Sequence, residues 1–245
     1  MNMSDFATLY IVDGALFVLA AFSVLTWTLI LHKAYMHWRL ASENRRFTAF
    51  FWKTAERDPT GALAGQLHAA SGSKARVARA GFAALSSAAP VEADSRTEFA
   101  TWDRQEVLER FLAQQIQRER RGLERGLTLL ASIANVAPFV GLFGTVFGII
   151  HALHTLAAGT TGGVEAIAEP VGQALVATGV GIAVAIPAVL AYNLFLRRLR
   201  VTIADLDDYA TDLVNLARCN GFRISFAADA LVSASLPSHT GEVRA

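Results

Sequence analysis

The sequence predicts an all-α integral membrane protein with three membrane-spanning helices and long helical extensions outside the membrane. All 22 lysine and arginine residues lie outside two stretches, residues 1–32 and 126–196. Those stretches contain three apolar runs without Asp, Glu, Lys or Arg, at residues 14–31, 126–164 and 170–196. A bilayer core of about 30 Å is crossed by about 20 apolar helical residues. Each run is therefore long enough to span.

Basic side chains stay on the cytoplasmic side of membrane helices, so the positions of the arginines predict the topology. The predicted order is a periplasmic N-terminus (1–13), span 1 (14–32), a cytoplasmic helical loop with the start of a long helix (33–127), span 2 (128–154), a periplasmic turn (155–169), span 3 (170–196) and a cytoplasmic helix and tail (197–245).

The first span reads as a retained helix. No basic segment precedes it and no small-residue cleavage pattern follows it. Tyr35 and Trp38 lie where an interfacial aromatic belt belongs. Asp13 is interpreted as an interfacial carboxylate near a helix start.

The two polar segments are predicted to be helical. Pro59 and Pro90 break the first, whereas no proline occurs between Thr101 and Pro138, which predicts one long helix running into span 2. Span 3 is predicted to continue as an amphipathic helix with an apolar stripe, formed by Ile203, Leu206, Ala210, Leu213, Val214 and Ala217.

The basic clusters are interpreted as span-end anchors. They occupy 118–125 and 197–200, where anionic lipids attract them. Because the net charge is only +1, nothing predicts nucleic-acid binding. The lone Cys219 excludes an internal disulfide.

No cofactor, metal site or enzyme chemistry is predicted. His151 and His154 could share a metal with Glu165 or Glu169, but two histidines without a spaced third ligand favour ordinary interfacial residues. The sequence has no P-loop, nucleotide fingerprint, catalytic triad or paired acid motif.

Small residues in the second and third spans predict close helix packing, because membrane helices associate where backbones can approach. Span 2 contains Gly141, Gly144 and Gly148, and span 3 contains Ala177, Gly181 and Ala185.

Polar residues in the same spans predict a shared polar lumen. Thr128, Asn135 and Thr145 fall in one half of the second helix, and Thr178 is the mid-membrane hydroxyl of the third. A single intramembrane threonine most often bonds the carbonyl one turn back. Two threonines at similar depth on adjoining helices favour a shared polar lumen.

Two sequence segments carry a family resemblance. Residues 137–150 (APFVGLFGTVFGII) and 173–193 (QALVATGVGIAVAIPAVLAYN) resemble the signature spans of the ExbB/TolQ family, distant relatives of the flagellar stator protein MotA. The three-span layout, the outside N-terminus and the large first cytoplasmic loop extend the likeness across nearly the whole chain.

The resemblance implies a homopentamer in the bacterial inner membrane, whose second and third spans surround single-span helices of an ExbD-like or TolR-like partner. Thr145 and Thr178 are then the pore hydroxyls that face the partner's membrane aspartate. Asn135 marks an inner pore opening, Thr128 lines the path, and Pro138 and Pro187 shape the helices. The complex is expected to use proton-motive force to drive a TonB-like protein that energises outer-membrane transport.

The residues themselves also point to a partner. The three spans contain no carboxylate away from their ends, and a threonine hydroxyl exchanges hydrogen bonds but does not titrate near neutral pH. Where the family usually has a glutamate in the third span, this chain has Gln173. Gln173 and Thr178 differ by about 140° around the helix, so Gln173 is interpreted as an inter-helix polar contact.

The sequence alone leaves other functions open. A TolQ-like subunit of the Tol-Pal envelope system is the nearest alternative. A self-sufficient ion channel would conduct ions alone, and a passive scaffold would tolerate apolar replacement of the threonines.

Overall fold

The computed structural model describes residues 3–55, 70–87, 97–157 and 165–222. Within those ranges the chain forms five helices: α1 (Met3–Ala55), α2 (Ser73–Ser87), α3 (Thr97–Glu124), α4 (Leu127–Ala157) and α5 (Glu165–Cys219). The predicted all-α class is confirmed.

Among the residues that the structure describes, three segments are long and apolar enough to cross a membrane, as the sequence predicted. They lie within Tyr10–Lys53, Arg104–His154 and Ala168–Cys219. Many large apolar side chains on them face outward in the single chain, such as Phe17, Phe139 and Leu190, which are 65–76% exposed. Contact of these side chains with lipid or other helices is favourable, whereas their exposure to water is unfavourable.

The chain divides into two compact units. The first, which we call the span unit, comprises Met1–Met36 and Glu124–Leu199. Its core is made of small and branched side chains from α1, α4 and α5: Leu19, Ile133, Ala134, Ala137, Val184, Ala185 and Ala188. So many alanines at the core let the three backbones approach closely.

The second unit, which we call the polar unit, comprises His37–Leu123 and Arg200–Ala245. Its core includes an aromatic group in which the rings of Phe47 and Phe51 lie 6.2 and 5.6 Å from that of Tyr209. Arg76 of α2 forms a two-pronged ion pair with the largely buried Glu119 of α3, with Nε–Oε1 and Nη2–Oε2 distances of 2.6 Å. These hydrogen bonds raise the pKa of the Arg76 guanidinium.

A side chain from α1 caps the start of α2. Asn44 Oδ1 accepts hydrogen bonds from the Lys74 amide and the Ser73 hydroxyl, each at 3.3 Å. Gly72 precedes the helix with a φ of +120°, a conformation that favours glycine. One of the first free amides of α2, that of Lys74, is thereby satisfied.

The predicted single helix from Thr101 into span 2 is interrupted. The helices α3 and α4 are separated by a turn at Arg125 and Gly126, where Gly126 has a φ of +83°. A side chain there would be strained in that backbone conformation, and its Cβ would lie 3.3 Å from Leu29 Cδ2. The absence of proline therefore did not ensure a continuous helix, because a glycine in the left-handed backbone conformation also interrupts one.

The other extension matches the prediction, since α5 continues past Arg200 to Cys219. A turn follows the helix at Gly221 and Phe222, both with positive φ, where the Phe222 amide donates to Ala217 O at 2.8 Å. The turn predicted at 155–169 is shorter at both sides, because α4 extends to Ala157 and α5 begins at Glu165. Pro59, Pro90, residues 158–164 and the tail after residue 222 lie outside the described residues.

Candidate functional site

The candidate site is built on the contact between α4 and α5, where glycines allow the backbones to meet. A Cβ on Gly141 would lie 2.7 Å from Ala177 O, and a Cβ on Gly181 would lie 2.7 Å from Ala137 O. Both distances are far below a normal contact, and the atoms met are backbone atoms that cannot swing away. Glycine is therefore required on both sides of this crossing.

The contact continues towards one end of the span unit. A Cβ on Gly148 would lie 2.5 Å from Ala174 Cβ, and one on Gly144 would lie 3.0 Å from Ala177 Cβ and 3.4 Å from Ala15 Cβ of α1. The four predicted packing glycines, Gly141, Gly144, Gly148 and Gly181, are all buried. These contacts also fix the antiparallel register of α4 and α5.

That register brings the two predicted hydroxyls together. The Thr178 hydroxyl donates to Thr145 Oγ1 at 3.4 Å. The Thr145 hydroxyl donates in turn to Leu142 O at 2.7 Å. We call these two residues the threonine pair.

The two threonines have different surroundings. Thr145 is only 6% exposed and lies inside the helix contact, whereas Thr178 is half-buried at its edge. The hydrogen of Thr145 is committed to its own helix, which leaves its oxygen to accept. The hydroxyl of Thr178 can exchange hydrogen bonds with a group outside the chain as well as with Thr145.

Thr128 and Asn135 do not lie in the helix contact. Both are exposed on α4, on the part of the helix nearest Arg125. Ser132, which the sequence pattern did not single out, donates to Thr128 O at 3.0 Å and is also exposed. We call the part of the span unit next to Arg125 and Arg197 the arginine end.

Asn193 of α5 is a second polar residue that sequence reasoning missed as a site. It is exposed and lies four residues before Arg197. Its only sequence signal was its place at the end of the AIPAVLAYN segment, which does not show the direction of its side chain.

Gln173 is exposed and lies away from the threonine pair. Its Nε2 donates to Glu169 Oε1 at 3.4 Å, one turn earlier on α5. Because α5 begins at Glu165, Glu169 is a helical residue and not part of a turn. This bond stays within α5, so the packing role predicted for Gln173 requires a neighbouring chain.

The two prolines lie inside helices, Pro138 in α4 and Pro187 in α5, and both are half-buried. Each lacks an amide hydrogen and so leaves the carbonyl four residues earlier without its helical donor. Those carbonyls belong to Ala134 and Ala183.

The opposite end of the span unit contains His151, His154 and Glu169, and we call it the histidine end. His151 is half-buried, whereas His154 is exposed. In the described ranges, no three His, Cys, Asp or Glu side chains come together as a metal site would require.

Comparisons of the sequence with known proteins place the chain in a family. Residues 70–208 match the MotA/TolQ/ExbB proton channel family. The chain is 37% identical over 210 residues to the biopolymer transport protein ExbB of Xanthomonas campestris pv. campestris strain B100, covering 85% of this chain and 81% of that protein.

Two further relatives cover different lengths. The ExbB protein of Neisseria gonorrhoeae is 52% identical over 93 residues, which are 38% of this chain and 42% of that protein. The Tol-Pal system protein TolQ of Haemophilus influenzae is 27% identical over 213 residues, which are 86% of this chain and 91% of that protein. The chain is therefore a multi-pass membrane protein that belongs to the MotA/TolQ/ExbB proton channel family.

Proposed function

We propose that the chain is the ExbB-like subunit of a proton-driven inner-membrane motor, and that the threonine pair is its proton-path contact. Five copies surround single-span helices of an ExbD-like partner, and the complex energises a TonB-like protein for transport across the outer membrane. The observation that carries this proposal is the contact between Thr178 and Thr145 inside a unit whose spans contain no carboxylate away from their ends.

The outward faces of α4 and α5 support an assembly of several copies. Phe139, Leu175 and Leu190 are each at least 61% exposed in one chain, and Asn135 is exposed well inside the span. An amide in contact with lipid tails costs several kcal/mol, about 2–7 on transfer scales. A ring of copies removes that cost by turning Asn135 towards an interior lumen.

The chemistry of the threonine pair suits a titrating group supplied by the partner. An ionised partner aspartate only accepts hydrogen bonds, and Thr178 meets it by turning its hydrogen away from Thr145. A protonated aspartate donates to Thr178, whose hydrogen then returns to Thr145. Thr178 is thus the contact residue, and Thr145 positions it by offering a second acceptor.

The orientation follows from the arginines. The arginine end faces the cytoplasm, so the N-terminus is periplasmic and the C-terminus is cytoplasmic. Arg197 and Arg198 lie at this end, where anionic lipid headgroups can bind them. Each proton that crosses releases about 2.3 kcal/mol per 100 mV, so several protons are needed for one mechanical step.

A TolQ-like role in the Tol-Pal envelope system is the second candidate. The Haemophilus influenzae TolQ relative aligns over 86% of this chain, so the likeness does not stop at the spans. Purification with the product of the neighbouring open reading frame, followed by the mass of the intact complex, identifies the partner.

The test is proton flux through the purified complex in liposomes under an applied potential. Thr178→Val is expected to lower flux at least tenfold and Thr178→Ser to retain most of it. Thr28→Val is the matched control, because Thr28 is an exposed span threonine that donates to Val24 O at 2.8 Å on its own helix. Full flux in Thr178→Val would refute the proposed contact. Equal flux from this chain without its partner would favour a self-sufficient channel.

A further inference from the structure

Two helices of the polar unit each carry charges of one sign on an exposed face. On α3, Arg118 and Arg121 are both exposed, and we call them the basic pair. On α5, Asp205 and Asp208 are both exposed, and we call them the acidic pair. Within the described ranges, the ion pairs that form involve other side chains. Two charges of each sign are thus available on separate helices.

The contact between α3 and α5 shows which side of each helix faces the other. Arg218 Nη2 of α5 donates to Gln105 Oε1 of α3 at 2.9 Å. Three residues further along α3, Leu108 lines a small apolar cavity together with Leu213 and Ala217 of α5. Rising numbers on α3 therefore meet falling numbers on α5, and the two helices are antiparallel.

The charged pairs lie away from that contact. At about 100° per residue, the two arginines of the basic pair lie about 140° and 160° from Gln105. The two aspartates of the acidic pair lie about 120° and 180° from Ala217. Each pair therefore points away from the side where α3 and α5 meet, so the two pairs face away from each other within one chain.

The same contact gives the relative height of the charges along the helices. Gln105 and Arg218 lie at about the same height, because a hydrogen bond joins their side chains. An equal number of residues separates Gln105 from Arg118 and Arg218 from Asp205, so Arg118 lies level with Asp205. The other member of each pair lies about 5 Å from that height at 1.5 Å per residue. Copies related by rotation about an axis parallel to these helices keep the same heights.

A small apolar contact is available beside the charges. Val201, one turn before Asp205 on the same face of α5, is 55% exposed. Gly122, one turn after Arg118 on α3, is exposed, and a Cβ there would meet nothing within 4 Å in the chain. By the same register Val201 is level with Gly122. The glycine leaves room for a valine of a second copy.

We propose that the basic pair of one copy of the chain binds the acidic pair of the next copy, so that α3 and α5 join neighbouring copies head to tail. Two different faces form such a contact, and it closes into a ring when the rotation between copies allows it. Charge complementarity selects the direction and height of the neighbour, because like charges repel in a wrong alignment. The inference rests on the proposed function in one respect, since it requires several copies.

Anionic lipid headgroups are the other class of partner for the two arginines. Lipid would leave the acidic pair without a role, since phosphate repels carboxylate. The acidic pair matches the basic pair in number, sign and height, and its neighbour Val201 lies level with the open position at Gly122. These features favour a second copy of the chain.

Cross-linking in membranes tests the interface without relying on motor activity. In the full complex, with Cys219→Ser as background, Arg118→Cys and Asp205→Cys are combined in one chain and treated with a short bifunctional maleimide. Because the two positions face away from each other within a chain, links form between copies and give a ladder of linked chains. Arg118→Cys with Asp207→Cys is the matched control, since Asp207 is exposed at nearly the same height but lies about 160° from Asp205.

The interface predicts at least tenfold more linked chain for Arg118→Cys with Asp205→Cys than for the control. Equal linking in both variants, or no ladder in the first, would overturn the inference. A ladder from a complex that conducts no protons would refute the proposed motor and leave the interface standing. Full proton flux without the ladder would refute the interface alone.

Charge reversal separates a second copy from lipid. Arg118→Glu with Arg121→Glu, and Asp205→Lys with Asp208→Lys, are each expected to lower the assembled fraction in native mass spectra at least threefold. All four changes in one chain are expected to restore assembly, because the reversed pairs match again. Failure of this variant to recover would overturn the inference, and a loss confined to the arginine variant would assign the arginines to lipid instead.

Discussion

Gly141 of α4 and Gly181 of α5 meet so closely that a Cβ on Gly181 would lie 3.1 Å from Gly141 Cα. This crossing sets the register that places Thr145 opposite Thr178. The function proposed for the hydroxyls therefore depends on residues that carry no functional group.

Gly181→Ala is expected to destabilise the span unit by about 1–3 kcal/mol, because its new Cβ meets the Ala137 carbonyl at 2.7 Å. Gly179→Ala is the control, since a Cβ there meets nothing within 4 Å in the protomer. It is expected to stabilise by up to about 1 kcal/mol through helix propensity. Thermal unfolding of the full chain in detergent measures both, and equal effects would contradict the close crossing.

Thr145→Val is expected to slow proton flux severalfold while leaving assembly intact. The change removes the acceptor for Thr178 but nearly preserves the side-chain volume. Hydrogen bonds between membrane helices contribute about 0.6 kcal/mol on average, too little to dissociate the spans. Flux in liposomes and the mass of the intact complex are measured together, and loss of the complex would instead assign Thr145 a packing role.

Arg76→Gln is expected to lower the stability of the polar unit by about 2 kcal/mol. It removes the charged partner of the Glu119 carboxylate, which is 9% exposed, and leaves in place the hydrogen bond from Gln115 Nε2 to Glu119 Oε1 at 2.9 Å. The loss is smaller than the about 3–5 kcal/mol of a fully buried pair because Arg76 is 43% exposed.

Arg39→Gln is the control for that change, because Arg39 pairs with Glu43 at 62% exposure. Exposed pairs of this kind contribute at most about 1 kcal/mol. Unfolding of the full chain measured by circular dichroism checks both variants, and similar losses would argue against a larger contribution from the pair of Arg76 with Glu119.

Tyr209→Phe is expected to stabilise the polar unit by about 1–3 kcal/mol. In the described part of the chain, no group hydrogen-bonds the buried Tyr209 hydroxyl, so its removal ends a desolvation cost without opening a cavity. Phe51→Leu is the opposite control, because it removes the ring 5.6 Å from Tyr209. A lower melting temperature for Tyr209→Phe would show that the hydroxyl has a partner.

Much of the span unit could be predicted from the chain, because long charge-free runs with regularly spaced glycines are typical of closely packed membrane helices. The register between α4 and α5 was harder to predict from the sequence. The helical wheel placed Thr145 at the border of the packing face but could not show that its hydroxyl bonds Leu142 O. The break at Gly126 was missed because one glycine in a helical sequence is compatible with either outcome. Asn193 was missed because its side depends on which face α5 turns towards α4.

The most direct test of the proposed motor contact is a disulfide between Thr178→Cys and a cysteine that replaces the membrane aspartate of the co-purified partner, in a Cys219→Ser background. Oxidation of membranes is expected to link these two positions and to leave Val176→Cys unlinked, since Val176 is 58% exposed at nearly the same depth but lies about 160° from Thr178 on the helix. Efficient linking at Val176→Cys with none at Thr178→Cys would contradict the proposed contact, because the partner's acidic group would then lie on the other side of α5.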